Sequence, residues 1–192
     1  MRWPKVLLFV WVCMAAIGLP AAEELKLEPG FTRLDNGKDL SGWYGSQWSG
    51  RATGNHKGWS VVDGAIHLDA AAGNSHLFHK ATFSPSCIVR LQFRATKAAD
   101  SGLCVHGDQF QVRDYVYSLP DTQKYAPACN PPGEWNDLEL DLTGGVAVIK
   151  LNGKVIEKAW RAGKNTKVGL GLQREKGDFD YRFLRIKEKP KP

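Results

Sequence analysis

The side chains of this 192-residue chain that could carry chemistry gather in SGLCVHGDQFQVRD, Ser101 to Asp114. In its first half Leu103 and Val105 alternate with Cys104 and His106, and in its second half Phe110 and Val112 alternate with Gln111 and Arg113. A period of two marks half-buried strands. With the apolar members on a core, Cys104, His106, Gln111 and Arg113 share the opposite face, where a sheet presents them to a ligand. His106 is an imidazole that titrates near neutrality, and Arg113 is a fixed cation. Gln111 can donate and accept hydrogen bonds but cannot exchange a proton near neutral pH. A second polar ladder, Arg90, Gln92 and Arg94, alternates with Val89, Leu91 and Phe93. We expect it to complete the same site.

These residues need strands to hold them, and the rest of the chain supplies strand patterns. From Gly30 onward, short alternating runs are separated by turn residues, the pattern of an all-β sandwich or barrel. WSVVDGAIHLD reads as a hairpin closed by Asp63-Gly64, and Asn36-Gly37 and Asn152-Gly153 are further turn pairs. WNDLELDL, GGVAVIKL, KVIEKAW, KVGLGLQ and FDYRFLRIKE read as five successive antiparallel strands. Their apolar faces require a second layer, so the architecture is two packed antiparallel sheets. Between the organising stretch and this meander lies a long connection, Val116 to Gly133, which carries Tyr117, Tyr125 and Cys129. Trp43 reads as core, whereas Trp48, in a loop rich in Gly, Ser and Asn, reads as an exposed platform.

Length is consistent with one domain. Arg2 and Lys5, an apolar run from Val6 to Leu19 and small residues at Ala21 and Ala22 follow the order of a secretory signal peptide. We therefore expect residues 1–22 to be a leader, residues 23–192 to form a single domain, and the product to be secreted or periplasmic, without a membrane anchor after cleavage. The net charge of +6 is mild, and the basic residues are scattered without interleaved aromatics, so no nucleic-acid partner is expected. Past the leader the cysteines are Cys87, Cys104 and Cys129. Cys87 has the parity of core residues, which leaves Cys104 and Cys129 as the better disulfide pair in an oxidising compartment. No CxxC spacing suggests a zinc site.

Several segments together resemble the 3-keto-disaccharide hydrolase domain family. They are LDNGKDLSGW at Leu34 to Trp43, WSVVDG at Trp59 to Gly64, LQFR at Leu91 to Arg94, SGL at Ser101 to Leu103, GEWN at Gly133 to Asn136, LNG at Leu151 to Gly153, GLQ at Gly171 to Gln173 and the closing RIKE. The resemblance implies a concanavalin A-like jelly-roll sandwich of two antiparallel sheets. It also implies action on glycosides oxidised at the sugar C3, where the ketone acidifies the C2 hydrogen and lets the C1 substituent leave by elimination. Such chemistry needs a base, an enolate stabiliser and help for the leaving group. His106 is the expected base, Arg113 or Arg90 the fixed cation, and Asp108, Asp114, Glu134 and Glu175 the candidates for further proton transfer or for a divalent metal. Arg90, Gln92, Arg94, Gln111, Gln173, Trp48, Tyr117 and Tyr125 are the expected sugar contacts. The chain departs from the family pattern at Gln92 and Gln111, where the pattern has carboxylates, and at His106, where it has arginine. It also has Arg174 and Glu175 where a histidine commonly follows GLQ. These departures keep a non-catalytic carbohydrate-binding domain, or a structural envelope domain, as alternatives.

Overall fold

The computed structural model describes residues 25–46, 52–53, 56–69, 71 and 75–190; the expected leader and Trp48 lie outside the described residues. The strands are β1 (Thr32–Arg33), β2 (Trp43–Ser46), β3 (Trp59–Val62), β4 (Ala65–Leu68), β5 (Ser75–His79), β6 (Cys87–Ala95), β7 (Asp100–Val105), β8 (Asp108–Arg113), β9 (Asn136–Thr143), β10 (Val146–Leu151), β11 (Lys154–Arg161), β12 (Gly171–Lys176) and β13 (Phe179–Glu188). They form two antiparallel sheets. The larger runs β11-β10-β9-β6-β13-β4-β3, with β1 on β13, and the smaller runs β2-β5-β12-β7-β8. The connection after β8 carries three single helical turns.

Tight turns fix the registers. Asp63-Gly64, His106-Gly107 and Asn152-Gly153 each have two consecutive positive φ angles, as the two-residue turns that match strand twist require. The core lies between the sheets, where Val89, Leu91 and Phe93 of β6 meet Leu103 and Val105 of β7, Phe110 and Val112 of β8, and Leu172 of β12. Each such side chain removed from water contributes about 1.5–3 kcal/mol, and the strict alternation of buried and half-buried residues along β6 follows from this.

Only part of the expected five-strand meander forms. β9, β10 and β11 are consecutive neighbours, but β12 crosses to the smaller sheet between β5 and β7, and β13 returns to pair with β6 and β4. Period-two alternation is the same in either sheet, so the sequence pattern does not reveal the crossing. β13 also carries a register shift between Arg182 and Arg185, with Phe183 at φ +54°. The buried carboxylate of Asp35 holds this bulge by accepting from the backbone N–H of Phe183 at 3.2 Å and of Leu184 at 2.6 Å.

The expected Cys104–Cys129 disulfide is not formed: Cys87, Cys104 and Cys129 are all free thiols. Cys104 lies on β7 with its side chain on the outer face of the smaller sheet, whereas the Cys129 thiol donates to Asn130 O. Burial pushes the Cys104 thiol up to about 12. Among the described residues no helix is long and apolar enough to cross a membrane.

Candidate functional site

The outer face of the smaller sheet is built from cross-strand rows that the pairing registers define. One row runs Gln109, Cys104, Gly171, Phe78, Tyr44, and the next runs Gln111, Gly102, Gln173, His76, Ser46. Beyond them Arg113 stands opposite Asp100, and Asp100 opposite Lys176. Two glycines leave space that longer side chains occupy. A Cβ placed on Gly102 would lie 2.2 Å from Gln109 Nε2, and one on Gly171 would lie 2.5 Å from the Phe78 ring. Gln109 thus lies across Gly102 and donates from Nε2 to Gln173 Oε1 at 2.5 Å. Phe78 lies across Gly171, with Tyr44 and His76 each stacked at 6.2 Å from its ring centre.

Phe78 itself is 1% exposed, so the open groups of this face are the ring of Tyr44 and the amides of Gln109, Gln111 and Gln173, the kinds that stack on a pyranose and pair its hydroxyls. The Gln111 Oε1 atom is buried without a hydrogen-bond partner, an acceptor that a ligand hydroxyl would satisfy. His76 is 8% exposed, and burial lowers its pKa below the usual 6.5, so it is an uncharged imidazole at neutral pH. Arg113 donates through Nε to Asp100 at 2.7 Å and through Nη1 to Thr122 Oγ1 at 3.2 Å.

Of the expected site residues, the fold brings Gln111, Gln173 and Arg113 onto this face. His106 is not there. It occupies the first position of the β7–β8 turn at φ +51° and is fully buried with its ring 4.9 Å from that of Phe83. Asp108 is exposed at the start of β8, where it accepts from the Gln109 backbone N–H at 2.9 Å. Glu175 is exposed, because a register shift between Arg174 and Lys176 places Lys176 opposite Asp100 in its stead.

The ladder on β6 lies on the opposite side of the sandwich. Arg90, Gln92 and Arg94 point outward from the larger sheet into polar networks of their own. Arg90 pairs with Glu139 and Glu28, and Arg94 makes two bonds to Asp180. Gln92 donates to Asp137 and accepts from Arg182. The core separates them from Gln111, so the two ladders do not form one site. Tyr125 is 7% exposed, packed edge-on against Tyr115, and its hydroxyl donates to the Glu157 carboxylate; it is a core residue and not a sugar platform. Tyr117 is 51% exposed, with Lys97 Nζ 4.4 Å from its ring centre.

His76, Gln109 and Tyr44 are the members of this face that the sequence reading missed. The signal was present in SHLFH, where His76 and Phe78 share a parity opposite to Leu77. Among the described residues no group of three or more His, Cys, Asp or Glu side chains is placed to hold a metal ion.

Two face-to-face antiparallel sheets with polar and aromatic residues on an outer face define a sandwich of the lectin type. The chain belongs to the 3-keto-disaccharide hydrolase family, whose profile, described as a 3-keto-alpha-glucoside-1,2-lyase-like domain, matches residues 30–187. Solved structures with the same fold include a protein from Parabacteroides distasonis assigned as a glycosyl hydrolase, at 20% identity and a TM-score of 0.66, covering 84% of this chain and 94% of that one. A Bacillus subtilis protein with a galectin-like fold matches at 12% identity and a TM-score of 0.55, over 78% and 90% of the two chains. The carbohydrate-binding module CBM66 of Bacillus subtilis matches at 11% identity and a TM-score of 0.52, over 83% and 96%. Comparison with curated protein sequences gives no significant match.

Proposed function

We propose that this chain is an exported protein that binds a glucoside on the outer face of its smaller sheet and eliminates the C1 substituent when that glucoside carries a ketone at C3. The observation that carries this reading is one row of residues: His76 stands in register with Gln173, Gly102 and Gln111. His76, uncharged at neutral pH, takes the proton from C2. The C2–H electrons form the enolate, the C1–O bond breaks, and the imidazolium returns its proton to the departing oxygen. Gln173, whose Oε1 already accepts from Gln109, keeps its Nε2 hydrogens for the C3 oxygen on which charge develops. Gln111 and Gln109 hold ring hydroxyls. The family description supports the substrate class, and the basic and apolar N-terminus supports export.

The test is release of 4-nitrophenol from its 3-keto-α-glucoside. The wild-type chain should release it, and His76→Asn should lose about a hundredfold or more of the rate, the usual contribution of a general base. His106→Ala, altered in the turn and away from the face, should retain the rate. If the wild-type chain releases nothing, the elimination reading fails.

One observation favours a second reading, in which the domain binds sugar without turnover. The only carboxylate in the described rows is Asp100, and it is committed to Arg113. Saturable binding of the 3-keto-glucoside with no product would establish it, and the structural match to a carbohydrate-binding module agrees with it.

A further inference from the structure

About 7 Å beyond the Gln111 and Gln173 row, two residues further along the strands, lies a depression of about 190 Å³ lined by Ala98, Asp100, Arg113, Tyr117, Leu119 and Lys176. It adjoins the sugar face through Asp100, Arg113 and Lys176, and the segment after β8 closes its far side. Its hydrogen-bonding groups are unevenly committed. Of its carboxylates, Asp100 accepts from Arg113 Nε at 2.7 Å, and Asp121, exposed at the rim, stands 3.6 Å from Arg113 Nη1. The Ser118 hydroxyl donates to Tyr115 O and accepts from Thr122. The donors are in excess. Among the described residues the exposed Lys176 side chain has no ion pair or hydrogen-bond partner, Arg113 Nη2 has none, and Lys97 meets only the Tyr117 ring. The register shift in β12 turns Lys176 toward this depression where an unshifted strand would present Glu175. A ligand seated here must supply acceptors, and an exposed tyrosine ring offers it a flat apolar support.

From this we infer that the depression is a second subsite for an acidic unit, so that the preferred ligand is a saccharide whose second residue carries a carboxylate or a phosphate. The inference rests on the proposed sugar face but not on turnover. Charge-assisted hydrogen bonds from Lys176 and Arg113 hold the anion, and the Tyr117 ring covers the sugar that bears it.

Calorimetry of the full chain at low ionic strength tests this with four probes: glucose, trehalose, trehalose 6-phosphate, and the trehalose uronate in which the same carbon is a carboxylate. The acidic disaccharides should bind about tenfold more tightly than trehalose, the preference shrinking as salt is added. A preference for the phosphate or the carboxylate identifies which anion is suited. Lys176→Gln, an exposed change that leaves the fold intact, should remove most of that preference while leaving glucose affinity unchanged. Tyr117→Ala should weaken all three disaccharides and spare glucose. Equal affinity for trehalose and its acidic forms, or an unaltered preference in Lys176→Gln, overturns the acidic subsite while glucose binding keeps the sugar face intact. Failure of every probe, glucose included, overturns both.

Discussion

Gln109 lies across Gly102: its Nε2 occupies space 2.2 Å from where a Cβ on that glycine would stand, and from there it reaches Gln173. The absence of a side chain at Gly102 therefore sets the position of two amides on the proposed sugar face. Gly102→Ala should push Gln109 off Gln173, leave both amides free to rotate, and lower glucoside affinity about tenfold. The fold itself loses only about 1 kcal/mol, the net contribution of one hydrogen bond. Urea titration and sugar calorimetry on the same variant separate the two effects.

With His76 as the proposed base, the acid limb of turnover should report on it. Burial favours the neutral ring and places its pKa below 6.5, so the proton-accepting form persists as pH falls past the ordinary histidine range. The midpoint of the acid limb of kcat/KM should therefore lie below 6.5. The same sign holds for stability: the unfolded chain binds this proton first, and folding is weakened as pH drops below 6.5. A midpoint at or above 6.5 would mean that another group is the base.

A different carboxylate governs stability in stronger acid. Glu28 bonds to Arg185 through both oxygens and to Arg90 through one. The Arg185 bonds, opposed by burial, hold its pKa at about 2. Because the folded value lies below the unfolded one, this contribution is complete above about pH 4.5 and disappears as pH falls toward 2. With the side chain 34% exposed, screening leaves about 1 kcal/mol of it. Glu28→Gln should be less stable than wild type at pH 7 by about that amount and should converge with it near pH 2 in denaturant titrations.

The bulge in β13 depends on Asp35. Its two carboxylate oxygens satisfy the Phe183 and Leu184 N–H groups, which the shifted register leaves without a strand partner. Asp35→Ala should cost about 2–4 kcal/mol, since two buried donors lose their acceptor. Asp35→Asn, which keeps one carbonyl oxygen, should cost less. Arg33 also pairs with Asp35 at 2.8 Å, and equal loss in the two variants would mean that this charge pairing outweighs the two N–H bonds.

The sandwich was legible because alternation and turn pairs are local properties. β6, the Asp63-Gly64 turn and the Asn152-Gly153 turn all form where the residue types require. The site was half legible. Gln111 was found by parity and Gln173 through the GLQ segment of the family resemblance, but parity does not state which sheet a strand joins, so Arg90 to Arg94 looked equivalent and lies across the core. His106 was misplaced because its alternation with Val105 continues on paper through a His-Gly pair that turns the chain. Lys176 was hidden by a one-residue shift in β12, which reverses the face of everything after it.

Arg174 lies on the core side of that strand, 1% exposed. Its Nη1 donates to Asp69 O at 2.7 Å, while Nε and Nη2 have no partner, and burial lowers its pKa. A buried cation held by one carbonyl loses more hydration than it regains, and the unbonded N–H groups add to that cost. Methionine has a similar length and no donor to satisfy, so Arg174→Met should raise stability by about 1–2 kcal/mol. Sugar affinity should stay unchanged, since residue 174 faces away from Gln173. Thermal unfolding monitored by circular dichroism measures the first effect and calorimetry the second. A destabilised Arg174→Met protein would mean that the guanidinium anchors the Asp69 turn more strongly than its burial opposes it.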